Sequence, residues 1–334
     1  MNVSLWKKIR YRLEWLLCET LARFVPLWPR WFCVAAANAL GTCAYFLDAR
    51  GRSIAMANLK AAFGKRYSEA ERQRIAAASY RNFARTMLDL FWSPRLRAEN
   101  HEKYLTLEGV EILQKLQVEG RGAVLMCVHQ GNFEWASLAC GFHGFPTMIV
   151  AEDFKNPLLA PVFRRLRQVA GHQLIEQDRS MIRLLKHVKR GGFAGMLIDL
   201  NLRPDQAAVI IETFGMQTCV TMLPAVLAAR GGAALVPLDS RPFADGTCRA
   251  ILHPPIPIPA GASLPEIAQS CWDYFEPWVL ESPESWMLAY KHWRYLPADA
   301  QRLYPFYANP SSKFEKLRRT QESARAMSRG AASS

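Results

Sequence analysis

Eight cysteines lie along 334 residues, at 18, 33, 43, 127, 140, 219, 248 and 271, yet no two of them form a C-x-x-C pair. That absence excludes a thioredoxin-like redox motif. The lack of any His/Cys cluster at zinc spacing excludes a structural zinc site. Most of the cysteines sit in apolar stretches, so they read as reduced core residues rather than a disulfide framework. There is no glycine-rich phosphate loop and no internal repeat, which removes the nucleotide-binding fingerprints and repeat architectures. No compact apolar core followed by small residues marks a secretory signal near the start. Long hydrophobic runs are missing too. The most apolar stretch, Trp31 to Leu47, has 17 residues with Asn38 inside it, at the bottom of the range that spans a bilayer. Acidic side chains are scarce beside basic ones, 29 against 42, for a formal charge of +13. Such a surplus suits nucleic acid, an anionic membrane face or an acidic protein. The basic residues are spread rather than striped and no recognised nucleic-acid module is present, so nucleic acid is set aside as a partner.

Half the residues are hydrophobic, enough for a large core, and the length suits about two domains or one α/β domain with added helices. Lys7, Lys8, Arg10 and Arg12 mix with Trp6 and Trp15 at the start, and Trp28 and Trp31 follow. A helix lying in the membrane interface, with tryptophans at headgroup level, accounts for this mixture as well as a spanning helix does. A buried helix pair is the plainer alternative. Residues 1–100 read as helical, with a capping-box start at Ser68-Glu-Ala-Glu71 followed by Ile75, Ala78, Phe83, Met87 and Leu90 at near-helical spacing. From about 104, short β-rich runs (123–128, 147–151, 194–198, 234–238, 249–252) alternate with helical segments (107–118, 132–141, 157–170, 180–190, 221–230). This predicts an α/β fold, a central mostly parallel sheet flanked by helices, behind an N-terminal helical membrane-associating segment. The expected division is 1–50 for the membrane-associated helices, 51–310 for the α/β domain and 311–334 for a disordered Ser/Ala/Arg-rich tail. The prolines of 254–259 read as an extended connector, before a last helix near 264–281.

The stretch Ala123-Val-Leu-Met-Cys-Val-His-Gln-Gly-Asn-Phe-Glu-Trp135 carries the most chemistry. Its apolar run reads as a buried strand ending in His129, at the carboxyl edge where open α/β sheets place ligands. Asn132 is a good N-cap, and Glu134 falls in the first helical turn. Across a strand–turn–helix junction, Glu134 is expected to take a proton from one ring nitrogen of His129, leaving the other free to act as a base. The reading requires the two side chains to meet. The alternative is a loop histidine and a surface glutamate that do not touch. Asp199 ends another strand on the same edge, as a residue that orients substrate or as a cap. Phe163-Arg-Arg-Leu-Arg167 and Arg179-Ser-Met-Ile-Arg183 offer cations for phosphate, or solvated helix faces. Phe214-Gly215 and Thr221 are expected to open a helix whose free N–H groups suit an oxyanion. Trp286, Tyr290, His292, Trp293, Arg294 and Tyr295 make a basic aromatic patch, matched by interface belts, by single-strand binders and most often by a core.

The order of these segments resembles the lipid A late acyltransferases, lauroyl/myristoyl type, within the glycerolipid acyltransferase superfamily. The resemblance begins with Arg52-Ser-Ile-Ala-Met-Ala-Asn-Leu-Lys-Ala-Ala-Phe63 and passes through Ser68 to Ile75 and Ser79 to Phe83. It reaches His129-Gln-Gly-Asn-Phe-Glu134 in the H-x4-D/E form. It continues through Gly171 to Arg179, Phe214-Gly215, Leu223 to Pro237, and Trp286 to Arg294 with Tyr304. The resemblance implies a bacterial inner-membrane enzyme, its catalytic domain on the cytoplasmic side, that moves a fatty acyl chain from acyl carrier protein to a hydroxyl of a glycolipid. His129 would be the general base and Glu134 its partner. Arg164 and Arg179 would face the acceptor's phosphate side, together with Asn132 and Asp199 in substrate binding. No metal or tightly bound cofactor is implied. Asp199-Leu-Asn201 stands where a D-x-D is common, Gly171 and Arg179 are two residues further apart than expected, and no clean E-G-T-R element occurs at 197–203. Lysophospholipid, ornithine-type and phosphatidyl-sugar acceptors therefore stay open, as does a non-catalytic membrane-binding protein.

Overall fold

The computed structural model describes residues 4–150, 154–177 and 179–332. Four helices come first: α1 (Leu5–Phe24), α2 (Arg30–Leu47), α3 (Ala49–Phe63) and α4 (Glu69–Trp92). The expected capping box starts α4, with Ser68 Oγ accepting from Glu71 N–H while the Glu71 carboxylate accepts from Ser68 N–H at 2.7 Å. The alternating part follows as β1 (Leu105–Glu108), α5 (Val110–Val118), β2 (Ala123–Cys127), α6 (Phe133–Phe142), β3 (Thr147–Val150), α7 (Leu159–Arg167), β4 (Gln173–Ile175), α8 (Ser180–Val188) and β5 (Phe193–Leu197). A hairpin, β6 (Ala208–Thr213) and β7 (Met216–Thr221), precedes α9 (Leu223–Gly231), β8 (Ala234–Pro242), β9 (Cys248–Leu252), α10 (Leu264–Glu281) and α11 (Ser312–Ala332).

Seven strands form the main sheet in the order β1-β9-β8-β2-β5-β3-β4. All neighbours are parallel except β8 and β9, as the alternation of short strands and helices predicts. Side chains on β2 alternate between two cores. Ala123 and Leu125 pack with Trp135 and Leu138 of α6, whereas Val124 and Met126 pack with Leu184 of α8 and Leu227 of α9. Burial on both faces is the reason these strands read as continuous apolar runs. The N-terminal helices share the first of these cores through Val25, Cys33 and Ala37. Six of the cysteines are buried and all eight are free thiols.

Three elements were not legible as strands: β1, β4 and the β6–β7 hairpin. The tail also differs from expectation. Instead of being disordered from 311, the chain forms α11, with Phe314 fully buried against Ala208, Ile210 and Cys219. Among the described residues strand β6 pairs only with β7, so its outer edge presents unpaired backbone groups. The Gln321 side chain satisfies those of Ile210, accepting from its N–H at 2.8 Å and donating to its O at 3.0 Å, and Gln269 does the same for Glu212, both at 2.7 Å. A composition poor in apolar residues concealed a helix that docks through Phe314 and Leu317, the Gln321 amide, and ion pairs to Asp205, Asp299 and Glu266.

Candidate active site

Parallel pairing of β2 with β5 sets Cys127 opposite Leu197. Counting two residues further on both strands brings His129 opposite Asp199, and the ladder extends that way through Ile198 N–H to Cys127 O at 3.0 Å. The two side chains meet: His129 Nδ1 lies 2.7 Å from Asp199 Oδ1, and the His129 backbone N–H donates to Oδ2 at 3.1 Å. With an ionised carboxylate as acceptor, Nδ1 carries the proton and Nε2 presents its lone pair. Nε2 has no hydrogen-bond partner among the described residues, and the ring packs edge-on to Phe133 with centroids 4.8 Å apart. Past His129 the chain must turn sharply into α6. Gly131 has φ +60, and a Cβ there would overlap the Ser240 carbonyl oxygen, so only glycine fits. Asn132 then caps α6, accepting from Trp135 N–H at 3.0 Å.

The segment after α10 completes the site. Met287 N–H donates to His129 O at 2.9 Å and Gly131 N–H to Ser285 O at 3.0 Å, which aims Trp286 at the carboxylate. Trp286 Nε1–H donates to Asp199 Oδ2 at 2.9 Å, and His292 stacks on the indole with ring centroids 3.8 Å apart. Trp286, His292 and Trp293 are all buried, so this part of the aromatic patch is core that supports the Asp199 carboxylate. Burial alone would raise the Asp199 carboxyl, but His129 and the donated hydrogen bonds outweigh it and hold it down to about 2.

Three expectations about this site are corrected. Glu134 does not touch His129. Its carboxylate takes three hydrogen bonds from Arg167, from Nε at 3.2 and 3.0 Å and from Nη2 at 2.6 Å. Each helical residue turns about 100° from the last, so Phe133 faces the imidazole and Glu134 is carried round toward α7. Asp199, expected to contact substrate, has both oxygens engaged by His129 and Trp286 and is the imidazole's actual partner. Asn132 likewise has no exposed surface to offer a substrate, because its amide is spent on the cap and on Asp89 Oδ2 at 2.8 Å. Arg164 is exposed on α7 and Arg179 is exposed where α8 begins. Arg167 is partly buried while Arg164 and Arg165 are exposed. Val162 and Leu166 mark the buried face of α7, but Arg165 and Arg167 both stand about 100° from Leu166, so helical spacing alone does not single out Arg167. Glu134→Gln is expected to lower stability by about 1–3 kcal/mol through the weakened Arg167 pair while leaving the pH dependence of kcat unchanged. Denaturant titration and a pH–rate profile check this, and a displaced profile would return the orienting role to Glu134.

Sequence reasoning also missed a polar stripe on α4. Ser79, Asn82, Thr86 and Asp89 recur at spacings of three and four, so they share one face. Ser79 Oγ donates to Trp286 O, Asn82 Nδ2 to Glu284 O at 2.8 Å, and Thr86 Oγ1 to Gly131 O at 3.0 Å. Asp89, fully buried, holds Asn132 and pairs with Arg30 at 2.8 Å and Arg85 at 3.0 Å. One helix thus fixes both the His129 turn and the Trp286 segment. The spacing was visible in the sequence, but the apolar pattern of the same helix drew the reading. Phe214 and Gly215 are corrected as well: they form the turn of the β6–β7 hairpin, with φ +50 and +72. The Phe214 N–H is taken by Glu276 at 2.7 Å, so it is not an oxyanion donor. Two surface concavities of about 680 and 480 Å³ lie away from His129, one along α11 and one at the end of α3.

Burial pushes the imidazoles of His172 and His292 down to about 4. The unfolded chain takes up these protons near pH 6.5, the folded chain only near 4. Stability from each is therefore complete above pH 6.5 and drains as the pH falls toward 4, by at most roughly 3 kcal/mol per histidine. Asp199 adds a further loss as the pH falls from about 4 to 2. Melting temperatures measured from pH 7 to 4 should fall steeply, and His172→Gln should flatten the slope. A flat profile in the native protein would contradict this.

The family of bacterial lipid A biosynthesis acyltransferases matches residues 4–295. The chain belongs to that family. It is an acyltransferase of lipid A biosynthesis, and its acceptor is a lipid. A lipid A biosynthesis acyltransferase of Haemophilus influenzae is 23% identical over 240 residues, 71% of this chain and 73% of that one. A lipid A biosynthesis lauroyltransferase of Escherichia coli is 23% identical over 303 residues, 88% of this chain and 95% of that one. A solved 1-acyl-sn-glycerophosphate acyltransferase of Thermotoga maritima is 16% identical, covering 73% of this chain and 96% of its own, with a TM-score of 0.32, too slight a likeness to argue from.

Proposed function

We propose that this acyltransferase moves a fatty acyl chain from an acyl carrier protein thioester to a hydroxyl of a lipid A precursor or related glycolipid, with His129 as general base. The observation that carries the reading is the imidazole itself, its Nδ1 fixed at 2.7 Å from Asp199 and its Nε2 unengaged among the described residues. The acceptor oxygen attacks the thioester carbonyl as Nε2 takes its proton. The tetrahedral intermediate then collapses, the carbon–sulfur bond breaks, and the departing sulfur recovers that proton from the imidazolium. An ester and a free thiol result. Asp199 stabilises the imidazolium while it exists, and such a base contributes roughly 10²–10⁴-fold. Arg164, exposed on α7, and Arg179, exposed where α8 begins, are the positions for the acceptor's phosphate groups. Glu134 supports the reaction through Arg167 rather than through His129.

The reading places the enzyme on the cytoplasmic face of the bacterial inner membrane. Support comes from the exposed apolar side chains of α1 and α2, among them Leu5 at 74%, Trp6 at 76%, Trp31 at 70% and Leu47 at 85%, beside exposed Lys7, Lys8, Arg10 and Arg12. Such a surface suits an interface helix on anionic lipid. No single described helix is long and apolar enough to cross a membrane; α2 and α3 pass that test only as a pair, bent by 91°. The test is mass spectrometry of lipids from a strain lacking the protein, paired with purified enzyme given carrier-protein thioester and lipid acceptor. Loss of one fatty acyl mass from lipid A, restored in vitro by the enzyme, is expected. An unchanged lipid A, with the missing mass in another lipid, would refute the acceptor.

A further inference from the structure

A concavity of about 480 Å³ at the end of α3 is lined by Lys60, Lys65, Tyr67, Arg72, Arg302 and Leu303, with Ala61 and Gly64 between them. Four of these side chains are cationic and none is acidic. Two of the four have structural work. Arg72 Nη1 donates to the carbonyl of Gly64, the cap residue of α3, at 3.1 Å, and Arg302 donates to the carbonyl of Phe214. Lys60 and Lys65 are exposed, and among the described residues neither makes an ion pair or a side-chain hydrogen bond. The carboxyl end of a helix carries about half a negative charge, which asks for one cation rather than four. The acids nearest in sequence are Glu69 and Glu71, which begin α4, and Asp299; Glu71 is occupied by Ser68 and Asp299 by Arg318.

We propose that this basic concavity is the docking surface for an acidic protein that delivers the acyl thioester. The proposal rests on the reading that the donor is acyl carrier protein, and it adds where that donor sits. Two observations favour a soluble acidic protein over a lipid headgroup. Helix α3 leaves α2 at 91°, and its 15 residues carry the concavity about 22 Å from the Phe46–Leu47 end of the apolar surface. No large hydrophobic side chain of α3 is exposed, so the apolar surface of α1 and α2 does not continue along this helix, and Leu303 is the one exposed large hydrophobic among the lining residues. The surface is also wired to the chemistry. Arg302 grips the Phe214 carbonyl, the Phe214 ring lies 5.8 Å from Trp286, and Trp286 donates to Asp199 at 2.9 Å. A protein seated on the concavity thus contacts Arg302, which holds the hairpin whose tip packs against Trp286.

Peripheral charges of this kind act on encounter rate and salt dependence more than on the chemical step. The test compares native enzyme with Lys60→Glu/Lys65→Glu, using acyl carrier protein thioester, a free acyl-pantetheine thioester, and vesicles of anionic phospholipid. The expected result is a KM for the carrier-protein donor raised about tenfold or more, with a flattened salt dependence. kcat, turnover of the free thioester and vesicle binding should stay near native. Lys60→Gln/Lys65→Gln, which removes charge without reversing it, should shift KM in the same direction by less and guards against a folding artefact. If native enzyme prefers the carrier-protein thioester but both variants keep its KM, the docking surface is overturned and the donor reading stands. If the variants instead lose vesicle binding at unchanged KM, the concavity is a lipid headgroup site and the proposal is overturned. If native enzyme uses the free thioester as well as the protein-bound one, the donor reading fails and the docking surface with it.

Discussion

Replacing His129 by alanine is expected to lower kcat by roughly 10²–10⁴-fold and to cost about 1–3 kcal/mol of stability, because the buried Asp199 carboxylate loses its ring donor. Asp199→Asn should do comparable damage, on the order of 10³–10⁴-fold, for a reason written in the hydrogen bonds. Asp199 accepts from three donors: the His129 ring, the His129 backbone and Trp286. An asparagine has a single accepting oxygen and an NH₂ group. Keeping the backbone and indole bonds turns that NH₂ toward Nδ1. The imidazole must then carry its proton on Nε2, where it cannot act as a base. The double variant His129→Ala/Asp199→Asn should be no slower than His129→Ala alone, since the two act as a unit. Steady-state turnover with carrier-protein thioester and lipid acceptor measures all three. A His129→Ala enzyme within a few-fold of native would remove the base, and a mild Asp199→Asn would remove its orienter.

Asp89→Ala is expected to cost about 3–5 kcal/mol of stability, the loss seen when one member of a buried ion pair is deleted. Two guanidinium groups depend on it. Arg30 is 9% exposed, lies over Trp92 and Trp135 at 4.8 and 4.7 Å, and has Asp89 as its anionic partner. Arg85 reaches the same carboxylate from one turn away. Without it two cations remain buried with carbonyls and, for Arg30, indole faces, but no anion. The damage should extend to activity, because Asn132 loses the bond that anchors the cap behind His129. Chemical denaturation gives the free energy, and a loss below about 1 kcal/mol, the size of an exposed pair, would show that the network is dispensable.

How much was legible depends on the range of the interaction involved. The strand of 123–127, the N-cap at Asn132, the capping box at Ser68 and the helix from 264 to 281 follow from patterns spanning fewer than twenty residues, and each is found where the sequence predicts it. Strand β4 has three residues, too few to show any period. Hairpin β6–β7 turns on Phe214-Gly215 rather than Asn-Gly, so its turn signal is weak, and the phenyl ring is there to fill the space between Phe63, Trp272 and Trp286. The tail helix was missed because its stability comes from docking on β6, not from its own composition.

The pairing of His129 is the instructive case. Glu134 lies five residues away and was the natural partner; Asp199 lies seventy residues away and is the real one. The sequence alone determined that each of these carboxylates stands near a carboxyl-edge turn, and that His129 ends a buried strand. Only the tertiary structure decided between them. Alternation and helical periodicity say which face a side chain takes on its own element, but they carry no information on which strand lies next to which. Hydrogen bonding of β2 to β5 sets His129 opposite Asp199, and the 100° step along α6 carries Glu134 round to Arg167.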